Sequence, residues 1–362
     1  MRPAWLGLLI LVALSGGAAG MERVRVSADG AGFELVDSGD RFRPWGVNYD
    51  HDEVGGGRLL ESYWDDEWEV VAGDFAEIKG LGANLVRVHL QVGAFMESEA
   101  VVREGALERL GKLLVLAERS GLYLDLTGLG CYHEDEVPAW YDALDEVRRW
   151  AVQARFWEGI AERCAGSPAV FCYDLMNEPV VAGKKGETKW LAGEFGGKTF
   201  VQRISLDLGG RTREEVVEAW AGQMVGAIRK HDDRALVTVG VIPWALTFPG
   251  AKPVFYGEGV RDAFDFVSVH FYPERGKVEA ALEALAVYQI GKPVVVEEVF
   301  PLKCGVGELE DFMQRAEAGG LVGGWVSFYW GRSAVEYDAE EGIGPAIKAE
   351  WLRRFKAMQG GR

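Results

Sequence analysis

Ala169-Val-Phe-Cys-Tyr-Asp-Leu-Met-Asn-Glu-Pro-Val180 decides how the rest of the chain is read. From Phe171 to Met176 every residue but Asp174 is apolar or aromatic, the composition of a strand covered on both faces, as in a parallel sheet. Pro179 has no N–H to give to a sheet ladder, so the strand ends there. Asn177 and Glu178 are thereby held at the carboxyl end of a buried strand, the edge where α/β proteins gather their binding and catalytic groups. A lone Asn-Glu-Pro also fits a strand end whose polar residues simply meet water. A second stretch tips the balance: Lys292-Pro-Val-Val-Val-Glu-Glu-Val299 is another short apolar strand that closes on carboxylates. Two Glu side chains presented from two strand ends are what cleavage of a glycosidic bond requires.

Working outward from these two strands, the pattern repeats. Strand-like runs begin at Arg43-Pro-Trp-Gly-Val-Asn-Tyr49 and Ala83-Asn-Leu-Val-Arg-Val-His-Leu90, and continue at 122–126, 170–176, 236–241, 266–270, 293–297 and 324–329. Between them, apolar residues recur at helical spacing: Trp68, Val71, Phe75 and Ile78; Leu107, Leu110, Leu114 and Ala117; Val152, Phe156 and Ile160. Thr212-Arg-Glu-Glu215 is a capping box that opens a helix over 214–231. Further helices are expected over 278–288, 309–318 and 346–358. Eight strands alternating with helices predict a parallel α/β fold, and eight units favour closure into a single (β/α)8 TIM barrel over an open sheet. Two short alternating runs, Arg23-Val-Arg-Val and Phe33-Glu-Leu-Val, form a small N-terminal β-hairpin or lid. Residues 179–210 are too long for an ordinary connection after a strand, and loops of that length usually serve function.

The 362 residues suit one large barrel, and 48% hydrophobic content supplies its core. A formal net charge of −17 makes nucleic acid and anionic membranes poor partners. Residues 1–20 read as a secretory signal: Arg2, an apolar run over 5–14, then Gly17-Ala18-Ala19-Gly20. The run is short for a bilayer span, although an uncleaved anchor is the rival reading. The mature domain is then 21–362, secreted or periplasmic, monomeric, and free of the membrane. Export permits disulfides among Cys131, Cys164, Cys172 and Cys304, with three full pairings open. The Cys and the five His match no metal-ligand spacing.

If the barrel closes, polar groups at the strand ends share one bowl: Asn48, Tyr49, Arg87, His89, His133, Asn177, Glu178, Trp244, His270, Tyr272, Glu297, Glu298 and Trp330. Each alone fits a structural role; together they hold two carboxylates, a cationic partner, hydrogen-bonding His and Tyr, and aromatic platforms. No nucleophile elbow and no phosphate loop is present.

The set Gly46-Val-Asn-Tyr, Asn84-Leu-Val-Arg87, Asn177-Glu178-Pro179, His270-Phe-Tyr272, Glu297-Glu298 and Trp330 resembles glycoside hydrolase family 5, the cellulase-type family of retaining glycosidases on (β/α)8 barrels, over roughly residues 42–331. The resemblance implies a β-linked carbohydrate substrate, no cofactor and no metal. It makes Glu178 the acid/base and Glu298 the nucleophile, with Asn48, Arg87, His133, Asn177, Trp244, His270, Tyr272 and Trp330 binding substrate. The chain departs from the family in two places. Val299-Phe300 follows the Glu pair where the family has an aromatic-Gly, which leaves Glu297 as a rival nucleophile. Thr127 stands where members carry a His on the third strand, so either His133 substitutes from the following loop or that contact is absent. The implied activity is an endo-acting β-glucanase or mannanase type; the alternatives are an exo-β-glycosidase or transglycosylase, or a silent sugar-binding barrel.

Overall fold

The computed structural model describes residues 20–52, 57–183 and 185–360. The leader expected at residues 1–20 lies outside them, Gly20 apart. Strands β1 (Val24–Val26), β2 (Phe33–Leu35) and β3 (Arg41–Phe42) form a small antiparallel sheet. The next four strands are parallel neighbours: β4 (Trp45–Tyr49), β5 (Leu85–Gln91), β6 (Tyr123–Gly130) and β7 (Val170–Asp174). An insertion follows, in which β8 (Pro179–Val180), β9 (Leu191–Phe195) and β10 (Lys198–Arg203) make a sheet of their own. The wall then resumes with β11 (Leu236–Thr238), β12 (Gly240–Val241), β13 (Val267–His270), β14 (Val294–Val299) and β15 (Gly324–Trp330), the last pairing with β4.

The expected fifth strand is broken in two. β11 pairs with β7 and β12 pairs with β13, with Val239 between them. The nine-stranded sheet therefore begins and ends on one stretch of chain, and the barrel closes through it. The helices fall where the apolar spacing put them: Trp68–Gly80, Glu104–Ser120, Glu146–Cys164, Arg213–Arg229, Val278–Ala286, Val306–Ala318 and Ile343–Gly360. Val71, Phe75 and Ile78 bury completely, as do Leu110, Leu113 and Ala117 one helix later. The Thr212–Glu215 capping box forms as read, each side chain bonding the other's backbone N–H.

The N-terminal sheet is a floor, not a lid. Val24, Phe33 and Phe42 pack with Leu85, Tyr123, Phe171, Leu236, Phe266 and Val295, which stand at the beginnings of the barrel strands. Phe33 meets Phe171 and Phe266 edge-on, each at 5.3 Å between centroids. This aromatic plug seals the amino-terminal mouth and leaves the carboxyl end as the open one. The four cysteines are buried and unpaired. Among the described residues no helix is long and apolar enough to cross a membrane.

Strand contact in the wall is close enough to require glycine at Gly46. A Cβ there would lie 2.5 Å from the Leu85 carbonyl oxygen. Gly46→Ala is expected to destabilise the fold by about 1–3 kcal/mol through overpacking. The check is a lowered urea midpoint with unchanged slope.

Candidate active site

Arg87 sits on β5 with its guanidinium inside the barrel, fully buried. Its Nη1 donates to Asn48 Oδ1 at 2.9 Å and to Glu298 Oε1 at 2.8 Å. Its Nη2 donates to Asp174 Oδ2 at 2.8 Å and to Asn177 Oδ1 at 2.9 Å, with Glu297 Oε2 at 3.6 Å. Burial opposes the charge, but Glu297, Asp174 and Glu298 more than reverse that, and Arg87 stays protonated. Asp174 is the charged residue in the otherwise apolar run of β7. Its second oxygen accepts from Gly240 N at 2.8 Å, and Thr127 Oγ1 donates to the first at 2.9 Å.

The two carboxylates at the strand ends reach the bowl by different backbone devices. Glu178 follows β7 with φ +46°, a left-handed conformation that non-glycine residues adopt rarely and that gathers at functional sites. Its N–H is anchored on the Gly240 carbonyl at 2.9 Å. On β14 the register slips: Val296 pairs with Val269 but Glu298 pairs with His270, so Glu297 is an extra residue. This bulge breaks the strict alternation of a strand, and both Glu297 and Glu298 keep their side chains in the barrel. Glu297 points into the sealed interior and has no exposed surface; Glu298 is at the bowl surface, 5% exposed.

Glu298 accepts the Tyr272 hydroxyl on Oε2 at 2.6 Å. Burial, then the Glu298 charge, holds the Tyr272 phenol protonated. His270 Nδ1 is 2.9 Å from Glu178 Oε1 and 3.4 Å from Glu298 Oε1. One atom each from Glu178, His270 and Glu298 lie within 4.8 Å of one another. Burial would discharge His270, yet the Glu298 charge and the contacts with Glu178 and Glu297 push its pKa up to about 10. His89 behaves in the opposite way. Burial, then Arg87 and His270, hold its pKa well below the usual range. The neutral ring then donates from Nε2 to Asn48 Oδ1 at 3.3 Å and accepts the Tyr132 hydroxyl at Nδ1.

Three expected members stand elsewhere. Tyr49 turns its hydroxyl outward to Asp74 at 2.6 Å. Trp330 pairs with Tyr49 because the β15 register also slips after Ser327. Its ring stacks on Tyr49, 1% exposed, and the aromatic faces at that strand end are Phe328 and Tyr329. The neighbour of Glu178 in the bowl is His270. His133 does not replace the missing third-strand His: its Nε2 is 3.0 Å from the Gly57 carbonyl, in a side cavity of about 230 Å³. His89, on the neighbouring strand β5, is the imidazole beside Asn48. Asn177 Nδ2 is held by the Phe200 carbonyl at 3.0 Å.

The insertion does border the bowl. Lys198, 7% exposed, reaches Asp50 Oδ2 at 2.7 Å and ties β10 to the segment after β4. Phe200 packs on Tyr132 and Phe328 above Asn48 and His89. Trp190 is buried beneath Arg149, and Phe195 stands exposed at the hairpin tip. On the other side of Glu178, Pro179, Val180, Val241, Trp244 and Phe248 line an open groove of about 450 Å³. Sequence reasoning missed Asp174, Lys198, Tyr132 and Phe328. Only Asp174 carried a visible signal, a lone acid in an apolar strand.

The family profile described as Cellulase (glycosyl hydrolase family 5) matches residues 54–297. A mannan endo-1,4-β-mannosidase A from Podospora anserina is 26% identical over 216 residues, 53% of this chain and 50% of the relative. The chain thus spans about half the length of that relative. An exo-β-1,4-mannosidase from Opitutaceae bacterium strain TAV5 superposes with TM-score 0.69 at 16% identity, covering 93% of this chain and 62% of the other. An endo-1,4-β-mannanase from Eisenia fetida superposes with TM-score 0.61 at 14% identity, covering 92% and 95%. These solved structures share the barrel fold.

The His270 proton links the site to stability. Its pKa rises from 6.5 to about 10 on folding. The folded state holds that proton more tightly, so the gain is complete below the unfolded value and is lost as pH rises through the folded one. The melting temperature is expected to fall between pH 6.5 and pH 10, and to fall less in His270→Asn, when scanned across that range.

Proposed function

The chain belongs to glycosyl hydrolase family 5 and is a glycoside hydrolase, and from that premise we propose that it is an exported, retaining enzyme acting on β-1,4-linked mannan-type glycans. The observation that carries the chemistry is the Glu178–Glu298 pair, whose closest oxygens lie within 4.8 Å. Retaining enzymes hold their carboxyl groups about 5–5.5 Å apart, and inverting ones need about 6.5–9.5 Å to admit a water. Glu298 is the nucleophile: Arg87 and Tyr272 fix both its oxygens, and it faces the bowl. Glu297, sealed beneath, cannot reach an anomeric carbon. Glu178 donates its proton to the leaving oxygen, then takes one from water when the glycosyl-enzyme is hydrolysed. Mannan as substrate rests on the names of the relatives; export rests on the leader-like residues 1–20.

The position of the acid orients the substrate. The leaving group lies on the Glu178 side, along the groove with the half-exposed Trp244. The sugar under attack lies on the Asn48 side, where the Lys198–Asp50 bridge and Phe200 stand across the path of a longer chain. That wall favours a second reading over an endo cut, namely release of short units from a chain end.

Four experiments check these readings. Glu298→Ala should lose turnover by at least roughly a thousandfold, partly restored by azide. Glu178→Ala should spare aryl glycosides with good leaving groups, and NMR at early times should show the retained anomer. An inverted first product sinks the mechanism. Replacing residues 191–203 by a short Gly linker should lengthen the products released from mannan, while the melting temperature changes little; an unchanged product ladder removes the chain-end reading.

A further inference from the structure

Beneath the reacting pair lies a second layer of ionisable groups that the double displacement leaves unused. Glu297 is fully buried beneath the bowl. It is faced by Arg87 from β5 at 3.6 Å and by His270 Nε2 from β13 at 3.5 Å. Asp125 on β6 and Cys172 on β7 close the chamber, each with one atom within 4.8 Å of a Glu297 oxygen. Asp174 and the Tyr256 hydroxyl add their fields from either side. His270 is faced in turn by Glu178 and Glu298 at Nδ1, with His89 and Arg87 beyond. A Cβ on Gly240 would lie 2.5 Å from Glu297 Oε2 and 2.7 Å from His270 Nε2, so the chamber is filled to contact.

The geometry around His270 has one chemical reading. Its two ring nitrogens each face a carboxylate, Glu297 behind and the Glu178–Glu298 pair in front. A neutral imidazole carries one N–H and can donate to only one side; an imidazolium donates to both. We propose that Glu297 is a positioning residue for the catalytic pair: an ionised carboxylate sealed under the bowl that keeps His270 doubly protonated, so that a fixed cation stands between Glu178 and Glu298. The role in turnover rests on the assignment of those two Glu above; the state of His270 does not. Burial works against ionisation of Glu297, but Arg87 first, then His270 and Asp125, hold it below the usual carboxylate range. Burial, then the Glu297 charge, keeps Asp125 in its protonated form. The neutral acid and the cations thus share the charge of Glu297 without neutralising it. The bulge on β14 is what makes room for this second Glu, so the Glu-Glu pair is a functional unit and not a redundancy.

The test is Glu297→Gln beside Glu297→Asp in the full chain, read in two ways. The first is ¹⁵N NMR of the imidazoles; with five histidines, assignment by single substitution is direct. His270 should stay doubly protonated across pH 5–8 in the wild type, and titrate inside that range in Glu297→Gln by losing the anion behind it. Glu297→Asp keeps the charge and should hold the proton. The second is the pH profile of kcat/KM on an unactivated β-1,4-mannotetraose, whose departing sugar needs the proton of Glu178. Loss of the cation should move both limbs of that profile to higher pH by about one unit. kcat should drop about ten- to a hundredfold with KM little changed, since Glu297 touches no substrate. His270 neutral at pH 7 in the wild type overturns the proposal even if no variant folds. So does a His270 that stays protonated in Glu297→Gln, or limbs that do not move in that variant. If no β-glycoside is hydrolysed by the wild type, the proposed function fails, and the NMR result still decides the role of Glu297.

Discussion

A guanidinium buried in the middle of a barrel governs the arrangement of this molecule. Moving a cation out of water costs several kcal/mol, which only well-placed anions and acceptors offset. Arg87 obtains them from three strands: Asn48 on β4, Asp174 at the end of β7 and Asn177 just after it, and the Glu pair on β14. Because each partner comes from a different part of the wall, the barrel must close in one register for the charge to be satisfied. The same contacts aim the reactive groups. Glu298 is fixed by the residue that needs it as a counter-ion, and Asn48 is held between Arg87, His89 and the Glu297 and Ser327 carbonyls.

From this constraint the electrostatics of the bowl follow in layers. At the bottom, anions and cations alternate at 2.8–3.6 Å with no water-exposed surface. At the top, Glu178 and Glu298 reach the surface of the bowl. His270 joins the layers, and His89, a partly buried imidazole on β5, is left neutral because desolvation and then the Arg87 and His270 charges disfavour its proton. Two histidines in one barrel thus hold opposite charge states because the charges around them differ.

Loops are laid over this core. The insertion after β7 buries Trp190 under Arg149 for its own stability and spends Lys198 on Asp50 across the bowl. One side of the cleft is thereby narrowed, while the Trp244 side stays open. The barrel strands carry the charged cluster, and a graft on one connection narrows the bowl above it, a division of labour common in this architecture.

Much of this was legible in the chain itself. Apolar runs of strand length separated by helical periodicity determined a parallel barrel, and proline after Asn177-Glu178 determined which end of a strand those residues occupy. Arg87, His270, Tyr272 and Glu298 could be named because strand ends of such a fold converge on one bowl. What the sequence alone could not decide depends on register. Whether Glu297 or Glu298 faces the bowl turns on a one-residue bulge, and so does whether Trp330 or Phe328 meets it. Strand five is cut at Val239 for a similar reason, since its halves pair with different neighbours. A side chain's direction along a strand alternates residue by residue, so one extra residue reverses every assignment beyond it. Pairing across strands sets that extra residue, and those pairs lie tens to hundreds of residues apart in the chain. Local pattern therefore determined which residues meet, and tertiary pairing decided which of them touch.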